Sequence, residues 1–126
     1  MRTLATILII VAVLFGGSLA SYQFIHSNTT SLITQLSSVE ASTADKKWQA
    51  AQLELGSASQ HWDQTKAKLA FLLDHQDIDD IDLSMSRLSK YLAIQDLALA
   101  LGEVTTLKME FQQLKDAENL NLKNIL

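Results

Sequence analysis

The segment from Leu72 to Asp82, LLDHQDIDDID, holds the densest set of side chains in this chain that could do chemistry. Carboxylate oxygens and imidazole nitrogens bind divalent metals, and paired carboxylates act in general acid–base catalysis. The segment is therefore either a site or the turn between two helices. Its ionisable residues, called the acidic corner below, are Asp74, His75, Asp77, Asp79, Asp80 and Asp82.

The spacing of these residues does not favour metal binding or catalysis. A calcium loop needs a glycine at its sharp turn and a distal glutamate, and the segment has neither. Zinc needs three or four ligands, yet His61 and His75 would lie about 21 Å apart along one helix. No serine stands in a nucleophile elbow, and no glycine-rich phosphate loop exists. We expect no metal, no cofactor and no enzymatic activity.

A helix–helix corner explains the segment better. Asp80 or Asp82 is predicted to cap the following helix by accepting hydrogen bonds from its free N–H groups. His75 is then expected in the last turn of the preceding helix, near free carbonyls. Ile78 and Ile81 are expected to point inward. The corner has more carboxylates than capping requires, so we predict that it is also an acidic recognition surface.

The N-terminus carries a hydrophobic segment long enough to cross a bilayer. Residues Leu4–Ile25 are uncharged and would span about 33 Å as a helix, at about 1.5 Å per residue. An uncleaved anchor, with Tyr22 at the membrane interface, is one interpretation. A signal peptide cleaved after Ala20 is the other, since small residues precede that position. Arg2 and the amino terminus are the only positive charges near the span, and the next charged residue is Glu40, which predicts a cytoplasmic N-terminus and an extracytoplasmic remainder.

Beyond the hydrophobic segment, apolar residues recur in steps of three and four, the period of a helix with one buried face. Ser42 or Thr43 is predicted to cap the second helix, and Asp96 the fourth. Met85, Leu88 and Leu92 are predicted to form the buried face of the third helix. The other predicted stripes are Tyr22, Ile25, Thr29, Leu32, Leu36 and Val39; then Trp48, Ala51, Leu55, Ala58, Trp62, Thr65, Leu69 and Leu72; then Ala100, Val104, Leu107, Phe111 and Leu114.

These patterns predict an all-α protein in which an N-terminal transmembrane helix continues into a small antiparallel helical bundle. Residues 1–25 would be the membrane anchor, or an uncleaved signal segment, and residues 26–126 the extracytoplasmic bundle. Trp48, Trp62 and Phe111 are predicted to be structural core. The apolar C-terminal residues Leu120, Leu122, Ile125 and Leu126 are expected to dock on the bundle.

Composition limits the partners. The chain has 126 residues and no cysteine, which excludes disulfides, thiolate metal sites and a lipidated cysteine. Beyond Ile25, nine Lys or Arg stand against fourteen Asp or Glu, a net charge of −5. This balance argues against nucleic acid and against an anionic lipid surface as partners.

The whole chain resembles a family of small bacterial membrane-anchored proteins known only as a domain of unknown function. The residues that carry the resemblance follow the uncharged N-terminal span. The most specific parts of the resemblance are Trp62, Asp74–His75, the repeated Ile78–Asp79 and Ile81–Asp82, and Asn124–Leu126. The resemblance implies the anchored helical architecture and leaves the mechanism open.

Two functional hypotheses follow. The first is a structural or adaptor component that binds another envelope protein, or itself, through the acidic corner. The second is a small sensor in which His75 and its neighbouring aspartates bind a cation or respond to pH.

Overall fold

The computed structural model describes the backbone of residues 1–125 and the side chains of residues 1–117, and this part of the chain forms four α-helices. The described backbone is helical apart from residue 1 and the three turns, and it contains no strand. The prediction of an all-α protein is confirmed. The helices are α1 (Arg2–Ala44), α2 (Trp48–Leu69), α3 (His75–Ala93) and α4 (Leu97–Ile125).

The four helices form an up-down-up-down bundle. Because every connection is short, consecutive helices run antiparallel, as predicted. α1 packs against α2 and α4, and α3 packs against α4 and α2. A polar contact crosses each of the four interfaces and fixes its register: Ser42 with Glu54, Lys66 with Asp82, Arg87 with Glu103, and Glu40 with Lys108.

The predicted apolar stripes form the core of this bundle. The buried stripe on α1 runs from Ile25 to Thr43, with Val39 as its last apolar member, and Tyr22 is half-buried beyond Ile25. Trp62 and Phe111 meet edge to face, with ring centroids 5.3 Å apart. Leu72 was wrongly predicted to extend the stripe of α2, because that helix ends at Leu69 and Leu72 is exposed.

α1 is one unbroken helix of 43 residues, with an exposed N-terminal part and a C-terminal part that packs in the bundle. Its side chains are exposed through Gly17, and the first fully buried one is Ile25. An 18-residue window near its N-terminus has a mean hydropathy of 2.3 and no buried residue, so α1 is long and apolar enough to cross a membrane, and a signal sequence meets the same criterion. The predicted boundary between residues 25 and 26 falls within this helix.

The turns after α1 and α3 have the same construction. The residue after each C-cap, Lys46 or Gln95, takes a left-handed backbone with φ of 58°. The next N–H bonds back five residues, from Lys47 to the carbonyl of Ser42 at 2.8 Å in the first case. This is the Schellman arrangement, which satisfies carbonyls at the helix end.

The prediction that Ser42 or Thr43 caps α2 is therefore wrong. Both residues lie inside α1, where the Thr43 hydroxyl donates to the carbonyl of Val39 at 2.7 Å. α2 begins after Lys47 without a side-chain cap. The buried face of α1 continues past Val39 to Thr43, so the helix runs through the polar residues that predicted its end.

The start of α3 also differs from the prediction. Asp74, not Asp80 or Asp82, is the N-cap, and its carboxylate accepts from the N–H of Gln76 at 3.1 Å. His75 is consequently the first residue of α3 and does not lie in the last turn of α2. Ile78 and Ile81 continue the apolar stripe toward the N-terminus, so the helix gains packing by starting earlier.

Two further predictions concern helix ends. Asp96 caps α4 as predicted, with its carboxylate 3.0 Å from the N–H of Leu99. The predicted docking of Leu120, Leu122, Ile125 and Leu126 lies outside the described side chains.

We expect Asp74→Ala to lower the free energy of unfolding by about 1 kcal/mol, because the first turn of α3 then loses its side-chain acceptor. Thermal unfolding followed by circular dichroism measures the change. Asp79→Ala is the control, since Asp79 is exposed and lies past the cap. Equal losses from both substitutions would contradict the assignment of Asp74 as the cap.

Candidate functional site

The residues of the acidic corner are divided between two surroundings. Asp74 caps α3, and the carboxylates of Asp77, Asp79 and Asp80 are exposed along its first turns, beside exposed His75. Asp82 is half-buried and faces α2. No group of three or more His, Cys, Asp or Glu among the described residues lies close enough to hold a metal ion.

Asp82 is the centre of a polar network between α2 and α3. It accepts from the indole N–H of Trp62 at 2.8 Å, and both of its oxygens lie 3.0 Å from Nζ of Lys66. Asp63 adds a carboxylate 3.3 Å from the same Nζ. The hydrogen bond with Asp82 raises the pKa of Lys66, although burial acts in the opposite direction. The network holds the two helices together at one level of the bundle.

The network forms one end of an open cleft between α2 and α3, with a volume of about 540 Å³. Its floor is apolar, formed by Leu55, Trp62 and Met85. Its walls carry short or polar side chains, and a Cβ added at Gly56 would meet no atom within 4 Å. The wall residues are Gln52, Gly56, Ser59, Asp63 and Lys66 on α2, with Asp82, Ser86 and Ser89 on α3.

The wall residues follow from the helical period. Gln52, Gly56, Ser59, Asp63 and Lys66 step by four and three along α2, so they share one face beside the buried stripe. Ser86 and Ser89 do the same on α3. Short side chains on both faces leave the gap between the two helices unfilled.

The three predicted core aromatics differ in burial. Trp62 and Phe111 are fully buried, and they support the floor of the cleft. Trp48 is half-buried and packs against the edge of the core, near the turn after α1.

Glu110 lies on α4 next to α3 with an unusual environment. Its Oε1 accepts from the Ser84 hydroxyl at 2.7 Å, while its Oε2 is buried without a hydrogen-bond partner among the described residues. Burial raises the pKa of Glu110 above its ordinary value of 4.5, and the charges of Asp80 and Glu103 act in the same direction. The ionised carboxylate is therefore unfavourable in the folded state.

We expect Glu110→Gln to raise the unfolding temperature near pH 7. The folded protein binds the Glu110 proton more tightly than the unfolded chain, so this contribution is complete below pH 4.5 and is lost as the pH rises through the folded pKa. Unfolding curves at pH 4 and pH 7 measure the difference. The gain should be small, confined to the higher pH, and absent for exposed Asp79→Asn. A gain of equal size at both pH values would contradict the claim that the ionised Glu110 carboxylate destabilises the fold.

A second polar contact, between α1 and α2, was not predicted from the sequence. Nδ1 of His61 lies 2.9 Å from Oε1 of Gln35, and Nε2 lies 2.8 Å from Oδ1 of Asn28. The amide of Asn28 donates to the carbonyl of Phe24, which turns Oδ1 toward the ring. Asn28 and Gln35 stand seven residues apart on one face of α1, which is the signal that could have found the contact.

Fold and site together define the chain as a four-helix bundle with an apolar N-terminal helix and an open interhelical cleft. The chain belongs to the family described as Domain of unknown function (DUF4363), whose model matches residues 19–125. The predicted resemblance to a family of unknown function is thereby confirmed. The match covers the bundle and leaves out most of the apolar segment. No curated protein and no solved structure matches the chain.

Proposed function

We propose that this protein is a membrane-anchored adaptor that binds a helix of another envelope protein in the cleft between α2 and α3. The observation that carries the proposal is the cleft itself, an open gap with an apolar floor and short side chains on both walls. The proposed binding surface is therefore the cleft and not the whole acidic corner. Asp82 is the one residue of the acidic corner that lines the cleft.

The dimensions of the cleft suit a helix. From Gln52 to Lys66 the wall on α2 extends about 21 Å, which corresponds to about four helical turns. Gly56 and Ser59 allow another backbone to approach closely, because they project little or nothing into the gap. Helix-in-groove recognition uses apolar side chains at spacings of three, four and seven residues against such a floor.

The polarity of the cleft defines the face that the partner would present. Apolar side chains of the partner would lie over Leu55 and Met85 in the floor, whose exposed fractions are 4% and 6%. At the end marked by the Asp82 network, Asp63 keeps an exposed carboxylate that a basic or hydrogen-bonding side chain would meet. An amphipathic helix with a polar residue at one end fits both requirements.

Anchoring by α1 is part of the same proposal. The exposed hydrophobic part of α1 would cross the membrane, and Arg2 would keep the N-terminus on the cytoplasmic side. The bundle would then lie outside. An intact mass beginning at Ser21 would instead establish cleavage and a released bundle.

Photo-crosslinking in the native membrane tests the partner contact. A photoreactive amino acid at Ser59, in the cleft, should give an adduct with a protein of the same membrane, identified by mass spectrometry. Leu53 is the control position, because it is exposed on α2 but does not line the cleft. Adducts only with a second copy of this chain would indicate self-association. Equal adducts from both positions would contradict the proposal.

The acidic corner remains a separate prediction, which a probe at Gln76 tests in the same experiment. Adducts from Gln76 without adducts from Ser59 would favour the corner over the cleft. The sensor hypothesis stays a prediction too, and it requires that added divalent ions, or a pH change between 5 and 7, shift the thermal stability through His75.

A further inference from the structure

We propose that the turn between α2 and α3 makes a second contact with the membrane, inserting Phe71 and Leu72 into the interfacial layer of the bilayer. The inference rests on the anchoring of α1 proposed above and goes beyond it. Phe71 is 98% exposed and Leu72 is 53% exposed, side by side on a tight turn. Adjacent large apolar side chains without cover are typical of interaction surfaces.

The position of the turn identifies the bilayer as the surface that covers it. α1 and α2 are antiparallel, and their contacts advance together from Asn28 and His61 to Phe24 and Lys68. Phe71 lies three residues beyond Lys68 and two beyond Leu69, where α2 ends, so the turn is farther along the same direction than the contact of Lys68 with Phe24. The turn therefore lies near the part of α1 between Gly17 and Ile25, where the exposed apolar span gives way to the bundle.

The neighbouring side chains suit a membrane interface. Nζ of Lys68 lies over the ring of Phe24, 5.8 Å from its centroid, and half-buried Tyr22 lies two residues before Phe24 on the hydrophobic segment. Aromatic rings are enriched at this depth, and a lysine extends its ammonium group toward the headgroups. Exposed Asp74 and Asp77 follow the turn, so we expect a zwitterionic bilayer to accept it better than an anionic one.

The opposite end of the bundle supplies a matched comparison. Ile94, in the turn after α3, is 64% exposed, somewhat more than Leu72 at 53%. It lies at the far end of the antiparallel helices, away from the apolar part of α1. If exposure alone mattered, labels at Leu72 and Ile94 would have the same surroundings. Contact with lipid is expected only at Leu72.

The absence of cysteine allows single labels to be placed on the full chain. The test uses the protein reconstituted in phosphatidylcholine vesicles, with a nitroxide on a cysteine at Leu72, Ile94 or Val11. Collision rates with oxygen, which concentrates in lipid, and with a water-soluble nickel chelate report the environment of each label. Leu72 carries the main label because this choice keeps Phe71 intact.

We expect Leu72 to show higher oxygen accessibility and lower nickel accessibility than Ile94, in the direction of Val11 within the span. Phe71→Ser should return the Leu72 label toward the values of Ile94. Equal values at Leu72 and Ile94, with Val11 in lipid, would overturn the contact while leaving the anchor intact. A Val11 label in an aqueous environment would overturn both the contact of the turn and the anchor. A Leu72 label shielded from both reagents would indicate a protein contact and would also overturn the inference.

Discussion

Replacing Trp62 with alanine should destabilise the bundle by about 3–5 kcal/mol, a large fraction of the stability of a domain of this size. The indole is 1% exposed, meets Phe111 edge to face, and donates its N–H to Asp82. Its removal leaves a cavity where α2, α3 and α4 meet. Chemical denaturation followed by circular dichroism measures the loss. Trp48→Ala is the control and should cost less, because Trp48 is only half-buried.

Trp62→Phe separates packing from the hydrogen bond. The ring remains against Phe111, and Asp82 keeps Lys66 as a partner, so no carboxylate is left without one. We expect a loss of about 1 kcal/mol from the hydrogen bond, with a further cost for the smaller ring. A loss from Trp62→Phe as large as that from Trp62→Ala would contradict the assignment of most of the stability to packing.

Replacing Gly56 with leucine should strengthen the fold and weaken the function. Gly56 is exposed inside α2, and an added side chain meets no atom, so stability should rise by about 1 kcal/mol. The same side chain occupies the cleft. We expect partner binding to fall by about tenfold or more, which corresponds to ~1.4 kcal/mol of lost contact. Thermal unfolding and the yield of crosslinked partner measure the two effects.

Gly102→Leu is the matched control for this prediction. Gly102 is also an exposed glycine inside a helix with free space at its Cβ, but it lies on α4 and does not line the cleft. Its replacement should raise stability by the same amount and leave the crosslinks unchanged. Loss of partner in both variants would show that the effect does not depend on the cleft.

The sequence was sufficient to predict the helices and most of the core. The three-four period identified the buried stripes because it reports which face of a helix lacks charge, wherever the helix packs. Helix ends were predicted less well. The sequence predicts the cap at Asp96 correctly, but it favours Asp80 or Asp82 over Asp74, since a run of aspartates offers several capping positions that only packing can separate.

The cleft could not be predicted, because it depends on a distance between helices and not on a pattern within one. Gly56, Ser59 and Ser86 are unremarkable in the sequence, and only the arrangement of α2 and α3 shows that they face a gap. The hydrogen bond from Trp62 to Asp82 was missed for the same reason. The position of Asp82 in the acidic corner favours a capping role, whereas the hydrogen-bond partners of Asp82 lie on α2.

The most direct measurement of cleft binding is photo-crosslinking in the native membrane from Ser86, on the α3 wall, in three backgrounds. With the natural glycines, the probe should capture the same partner as the probe at Ser59. Gly102→Leu should retain this adduct, and Gly56→Leu should lose it. An adduct that persists unchanged in Gly56→Leu would contradict the claim that a partner occupies the cleft.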